Sequence, residues 1–313
     1  MTTLVGSDIV TPVRMHEDQL DIAEPIVRRL IAEQFPQWHG VPVRGLATSG
    51  TVNAIFRIGE DLSARFPLSP ADPAATASVL AREAAAMRQL ASVCSVPTPV
   101  QVAQGVPGAG YPLPWSVQTW IPGAVATPAG LADSARFAED LVALISALRS
   151  ADTRGHRFAG AGRGGDLRDS DEWLAVCFRK SEGLLPVDEL RPLWEQFRVL
   201  PSAGPDVMTH GDLTPSNLLV EGERLAGVLD GGGFAPADPA LDLVAAWHLL
   251  DAAARAVLRA GLGVADLEWK RGAAWAFQQS MGLVWYYRES NPAMSELGRS
   301  TLARILEDAA RLT

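Results

Sequence analysis

His210-Gly211-Asp212-Leu213-Thr214-Pro215-Ser216-Asn217, followed by Val228-Leu229-Asp230-Gly231, is the stretch on which the reading of this 313-residue chain turns. It sets an aspartate, an asparagine and a second aspartate within one short span. Each residue type has a use in phosphoryl transfer. A carboxylate can accept a hydroxyl proton, and an asparagine side-chain oxygen with a second carboxylate can hold Mg²⁺ against nucleotide phosphates. Each also has a plainer reading: Asp-Leu-Thr-Pro is turn-like, Asn217 could close an Asx turn, and Asp230 before its glycines could belong to a hairpin. The joint spacing, with an apolar strand leading into Asp230, favours the chemical reading. Asp212 is then the group that orients and deprotonates an acceptor hydroxyl, and Asn217 with Asp230 is the metal pair. His210 has no proton-carrying task in this scheme and reads as structural, through hydrogen bonds that fix the loop.

Composition narrows the class. The chain is long enough for two lobes or two small domains, and 48% hydrophobic with 20% charged residues is globular. No run of eighteen apolar residues occurs, and the start, Met1-Thr2-Thr3-Leu4-Val5-Gly6-Ser7-Asp8, has neither a basic nor an apolar signal region. Two cysteines, Cys94 and Cys177, make no disulfide framework. The expectation is a cytoplasmic protein without a membrane span. The formal charge of −9 disfavours non-specific nucleic-acid binding and is compatible with a cationic substrate.

Outward from the motif, periodicity changes along the chain. Apolar residues recur at helical spacing from Asp18 to Gln34, and Pro36 and Gly40 end that run. Three β-like runs follow, Val43–Ala47, Ala54–Ile58 and Leu62–Phe66, the last two joined at Gly59-Glu60-Asp61. A helix over 76–90 and strands at Val100–Gln104 and Trp115–Trp120 complete the first third. Beyond Ile121-Pro122-Gly123 helical periodicity dominates: 133–149, 171–183, 187–199, 238–260, 266–288 and 294–312. β-like runs at 206–209 and 218–229 bracket the motif. Arg154–Arg168, rich in Gly and Arg, reads as a mobile loop.

The motif resembles the aminoglycoside phosphotransferase family, small-molecule kinases with a protein-kinase-like fold. Its members show an HGDxxxxN loop and a hydrophobic strand ending in a metal-binding aspartate. They also show an acidic helix start, matched here by Asp238-Pro239-Ala240-Leu241-Asp242-Leu243. Protein kinases read HRDxxxxN and then DFG; here Gly211 replaces the arginine and Asp230 leads a DGG. No aromatic at 231 is present to act as the Phe switch, and Phe234 could substitute as the anchor. The resemblance implies an α+β, bilobal protein-kinase-like fold. Residues 1–120 would form a small, mainly β N-lobe with one or two helices, and 121–313 a larger, mainly helical C-lobe. Asp238 and Asp242 would be structural partners of the catalytic loop.

It also implies a nucleotide site. No lysine precedes Lys180, so the phosphate-holding cation expected on the third strand is Arg65, with Glu83 of the following helix as its ion-pair partner. Ser49, Gly50 and Thr51 would cover the phosphates, although an ordinary hairpin turn reads the same. Gln118 and Trp120 lie in the hinge that would face the adenine edge. ATP with Mg²⁺ is the default, and some relatives accept GTP. The acceptor would be a small hydroxylated molecule, an aminoglycoside-like antibiotic first. The aromatics Trp269, Trp275, Phe277, Trp285, Tyr286 and Tyr287 would be mostly core, yet could serve a macrolide. A metabolic sugar or amino-alcohol kinase is a third acceptor reading. A reading of another class, a catalytically silent nucleotide-binding scaffold, draws on the DGG and the missing lysine, and the intact Asp212–Asn217–Asp230 set opposes it.

Overall fold

A five-stranded antiparallel sheet occupies the first third of the chain. The computed structural model describes residues 19–46, 52–160 and 162–312. It divides into two units, Met1–Ala81 with Gln101–Trp120, and Arg82–Val100 with Ile121–Thr313.

The first unit holds α1 (Glu24–Gln34), β1 (Val43–Gly45), β2 (Asn53–Ile58), β3 (Leu62–Pro67), the start of α2 (Pro73–Val93), β4 (Gln101–Gly105) and β5 (Trp115–Thr119). The sheet order is β1-β2-β3-β5-β4, so β3 is central. Phe56, Ile58, Ala64, Phe66, Trp115 and Val117 face Val27, Leu30 and Ile31 of α1 in one buried cluster. Phe66 stacks on Trp115 at 4.7 Å between ring centroids. Gly105 makes room for that indole, since a Cβ there would lie 2.1 Å from Trp115 Cε2. α1 starts later than periodicity suggests. Pro25 is pre-set for a first turn and lacks an N–H, so the helix begins around it. Leu20 instead donates its N–H to Leu68 O at 2.7 Å.

The second unit takes the rest of α2 and then β6 (Ala124–Val125), α3 (Pro128–Leu131), α4 (Ala135–Arg149), α5 (Asp171–Lys180), α6 (Val187–Phe197) and β7 (Val207–Thr209). The hairpin β8 (Leu218–Glu221) and β9 (Arg224–Val228) follows, then β10 (Ala235–Ala237), α7 (Val244–Leu249), α8 (Ala252–Leu262), α9 (Asp266–Tyr286), α10 (Pro292–Glu307) and α11 (Ala309–Leu312). β10 pairs antiparallel with β7, and β6 with β8. Phe137, Leu141, Leu144 and Leu148 of α4 share one core with Trp247, Trp275, Phe277 and Met281. Among the C-terminal aromatics Trp269, Trp275 and Phe277 are buried, whereas Tyr286 is 46% exposed. The single helix expected over 238–260 is three pieces: a 3-10 turn at Leu241–Leu243, then α7, then α8. Leu250 is extended, and Asp251 accepts from Ala254 N at 2.9 Å, which caps a new helix. Among the described residues no helix is long and apolar enough to cross a membrane.

Candidate active site

The loop between β7 and the 3-10 turn Pro215–Asn217 is held from beneath by a buried carboxylate. Asp242 Oδ2 accepts from His210 N at 2.8 Å and Oδ1 from Gly211 N at 2.9 Å. Burial pushes the Asp242 carboxyl up, while His210 and the two N–H donors pull it the other way. The His210 ring is 2% exposed; its Nε2–H donates to Leu229 O at 2.8 Å and its Nδ1 accepts from Asp212 N at 3.3 Å. That ring joins the two halves of the motif, the structural task expected of it. Gly211 sits at φ +81, a backbone setting that glycine takes without strain.

Asp212 emerges from this loop with both carboxylate oxygens engaged. Asn217 Nδ2 donates to Asp212 O at 2.9 Å and to Oδ2 at 3.0 Å. Arg163 Nη2 donates to Oδ1 at 2.8 Å. The hairpin brings the second half of the motif alongside: Leu218 pairs with Val228, and Leu229 N donates to Asn217 O at 2.8 Å. Asn217 therefore ends one side of the hairpin's open end, and Asp230 follows directly on the other. Asp230 is exposed and left-handed, with φ 61 and ψ 39, a conformation that aspartate adopts more readily than most side chains.

These atoms suit Mg²⁺. Asn217 spends its amide nitrogen on Asp212, which leaves Oδ1 as the atom that could ligate a cation, and the Asp230 carboxylate is the second group that could do so. Hard oxygen donors in small number match a cation that keeps waters and substrate phosphates as its other ligands. The DGG sequence has a steric cause. A Cβ on Gly231 would lie 2.3 Å from Leu90 Cδ2, so an aromatic has no room there. Phe234, 4% exposed, is buried in the core instead. A Cβ on Gly232 would meet Glu83 Cγ at 3.0 Å, so the Glu83 side chain lies against the loop that follows Asp230.

Arg163 is the residue that sequence reasoning missed. It lies in the segment read as a mobile loop, 49 positions before Asp212. That segment is anchored: Gly164 O accepts from Asp238 N at 2.9 Å, and Gly165 O from Arg271 Nη2 at 3.1 Å. Gly164 sits at φ +119, and a Cβ there would lie 2.6 Å from Ala237 Cβ. The one available signal was an arginine flanked by glycines at 162, 164 and 165, residues that let a backbone approach closely.

The remaining expected residues are in the first unit. Arg65 lies on β3, opposite Ile55 of β2 and Ser116 of β5. It is thus on the central strand of the sheet. Gln118 is 5% exposed on β5. Trp120 carries the Arg57 guanidinium 3.9 Å above its ring, and its N–H donates to Asp61 O at 2.7 Å. Ser49, Gly50 and Thr51 lie outside the described residues.

The sequence profile of the phosphotransferase enzyme family matches residues 44–276. No curated protein is significantly similar in sequence. Among solved structures, the GDP complex of wild-type aminoglycoside 2'-phosphotransferase-IIIa is similar with a TM-score of 0.64 at 18% identity, over 92% of this chain and 99% of that one. The streptomycin–ATP–APH(2")-IIa ternary complex gives 0.58 at 18%, over 92% and 98%. Macrolide 2'-phosphotransferase MphH from Brachybacterium faecium, an apoenzyme, gives 0.57 at 21%, over 88% and 97%. At such identities the likeness shows a shared fold, the kinase-like α+β architecture described above.

Proposed function

This chain belongs to the phosphotransferase enzyme family, and we propose that it transfers the γ-phosphate of ATP to a hydroxyl of a small molecule, an aminoglycoside-like antibiotic first. The observation that carries this reading is the Asp212 carboxylate, braced by Asn217 and Arg163 on a loop pinned to buried Asp242. Asp212 accepts the hydrogen bond of the acceptor hydroxyl, aims its oxygen and takes the proton as the new O–P bond forms and the bond from the γ-phosphorus to the bridging oxygen breaks, with ADP as the leaving group. Asn217 and Asp230 would hold Mg²⁺, which supplies charge neutralisation on the phosphates when bound. Arg65 binds phosphate bidentately through its planar guanidinium. Glu83 is the carboxylate assigned to steady it. The glycine-bearing loop at Ser49, Gly50 and Thr51 covers the phosphates, and the hinge at Gln118 and Trp120 meets the base. GTP is a second candidate donor, since structural neighbours are complexes with GDP and with ATP.

One observation favours a second acceptor class. The Arg163 guanidinium neutralises Asp212 where an aminoglycoside ammonium would seek a carboxylate. A neutral polyol face, as in a simple sugar, meets no such conflict. Phosphate transfer from ATP or GTP, with Mg²⁺, to aminoglycosides, macrolides and simple amino sugars decides between them. The expected result is acceptor-dependent turnover that Asp212→Ala lowers by roughly 100- to 10,000-fold with nucleotide affinity kept. Turnover retained in Asp212→Ala removes that residue from its role.

A further inference from the structure

A line of polar side chains crosses the core of the larger unit and ends on Asp212. It starts on α10, where Thr301 Oγ1 donates to Leu297 O at 2.8 Å. Having spent its proton, that hydroxyl accepts from His248 Nδ1 at 2.9 Å. His248, on α7, is 0% exposed, and burial pushes its pKa down to about 4, so the ring is neutral. With the proton on Nδ1, Nε2 is an acceptor. The Gln279 amide, on α9, then has one orientation that satisfies both of its ends. Its nitrogen donates to His248 Nε2 at 2.8 Å, and its oxygen accepts from Arg163 Nη2 at 3.2 Å and Nε at 3.1 Å. That oxygen and Asp212 Oδ1 are 3.3 Å apart, and the guanidinium to which both accept holds them there.

Three features set this line apart from packing. Its neighbours, Trp247, Leu249, Ala276 and Phe277, belong to the apolar core, where a neutral imidazole and an amide add little net stability over apolar side chains. Every link has a single donor direction, so the line is a fully satisfied network of the kind that fixes one geometry. Lastly, the backbone directly after Arg163 is pinned at Gly164 O by Asp238 N and at Gly165 O by Arg271, so Arg163 is held beside its root as well as at its head.

We propose that Arg163 is a positioning residue for phosphoryl transfer: set by the Thr301–His248–Gln279 line, its guanidinium holds Asp212 Oδ1 while Asn217 holds Oδ2, so the carboxylate presents one fixed edge to the acceptor hydroxyl. The proposal rests on the reading of Asp212 given above. It concerns kcat, because Arg163 acts through the Asp212 carboxylate that takes the proton.

The full chain carries the test. Arg163 is one-third exposed, so Arg163→Ala leaves the fold intact, which a thermal melt checks. In that variant kcat falls roughly 10- to 100-fold with the nucleotide KM nearly unchanged, as for a misplaced catalytic group. Millimolar guanidine restores part of the rate. Gln279→Leu lowers kcat in the same sense, and the double variant is no worse than Arg163→Ala alone, because both changes break one line. An unchanged kcat in Arg163→Ala, or additive losses in the double variant, overturns the proposal. A second readout needs no turnover. ¹⁵N spectra, with His248→Gln as the assignment control, place the His248 proton on Nδ1, and the Nε2 shift moves in Gln279→Leu. A proton on Nε2 overturns the line while leaving the kinase reading intact. Turnover retained in Asp212→Ala overturns both.

Discussion

The two buried histidines of the larger unit have opposite polarity, and each is set by its neighbours. His210 donates from Nε2 to Leu229 O, which ties the catalytic loop to the strand that leads into Asp230. His248 is held with Nε2 as acceptor by a threonine whose own proton is already spent. Holding an imidazole neutral in the core has a consequence for acid stability. Its pKa is about 4 in the folded chain against a reference of 6.5. Above 6.5 both states are neutral there and pH has no effect through this group. Between 6.5 and 4 the unfolded chain takes up a proton that the folded chain excludes, so stability falls as pH falls. The full loss is about 3 kcal/mol. Urea midpoints of wild type and His248→Asn at pH 7.5, 6 and 5 test this. The wild-type slope against pH is steeper by about one proton near pH 5; equal slopes would show that His248 titrates alike in both states. The readout is the slope, since breaking the network lowers absolute stability in any case.

Between elements, the strut that matters most to the site is Asp238 with Arg271 of α9, each with a side chain 3% exposed. Arg271 Nε donates to Asp238 Oδ2 at 2.8 Å, and its other nitrogens reach Leu200 O, Pro201 O and Gly165 O. Trp275 Nε1 donates to the same Oδ2 at 2.8 Å. One guanidinium thus joins α9 to the ends of two loops, one of them the loop that carries Arg163. Arg271→Met leaves Asp238 buried without its cation and costs about 3–5 kcal/mol. Chemical denaturation measures that cost, and a loss under 1 kcal/mol would mean that the indole and backbone donors suffice. The helices and the hairpin were legible because period and motif are local: α4, α9 and the residues around Asp212 and Asp230 fall where spacing places them. The break at Asp251 was harder to read, because apolar residues continue through Leu249 and Leu250 and only a capping side chain ends the run. β6 and β10, two and three residues long, are too short for alternation to register. Arg163 was hidden for a different reason. Its partner is 49 residues away, and no local pattern encodes a contact of that range.

For the molecule as a whole, the donor nucleotide is a polyanion and the chain carries a formal charge of −9. Long-range attraction does not bring them together, so affinity has to come from local cations and from the metal. That division can be read through global stability, because a ligand that binds only the folded chain stabilises it by mass action. At one hundred times its dissociation constant the gain is about 2.7 kcal/mol. For a protein of this size that raises Tm by roughly 5 °C. On the proposed assignment, ATP without Mg²⁺ gives the part due to Arg65, and adding Mg²⁺ gives the part due to Asn217 and Asp230. Asp230→Asn loses the Mg²⁺-dependent increment and keeps the rest, whereas Asp212→Ala keeps both, since its carboxylate is assigned to the acceptor and not to the metal. If Asp230→Asn retains the full Mg²⁺ increment, the ion is held elsewhere and the metal pair read from the motif is wrong. If Asp212→Ala loses it, the carboxylate braced by Arg163 and Asn217 serves the metal, and the proton must go to another group.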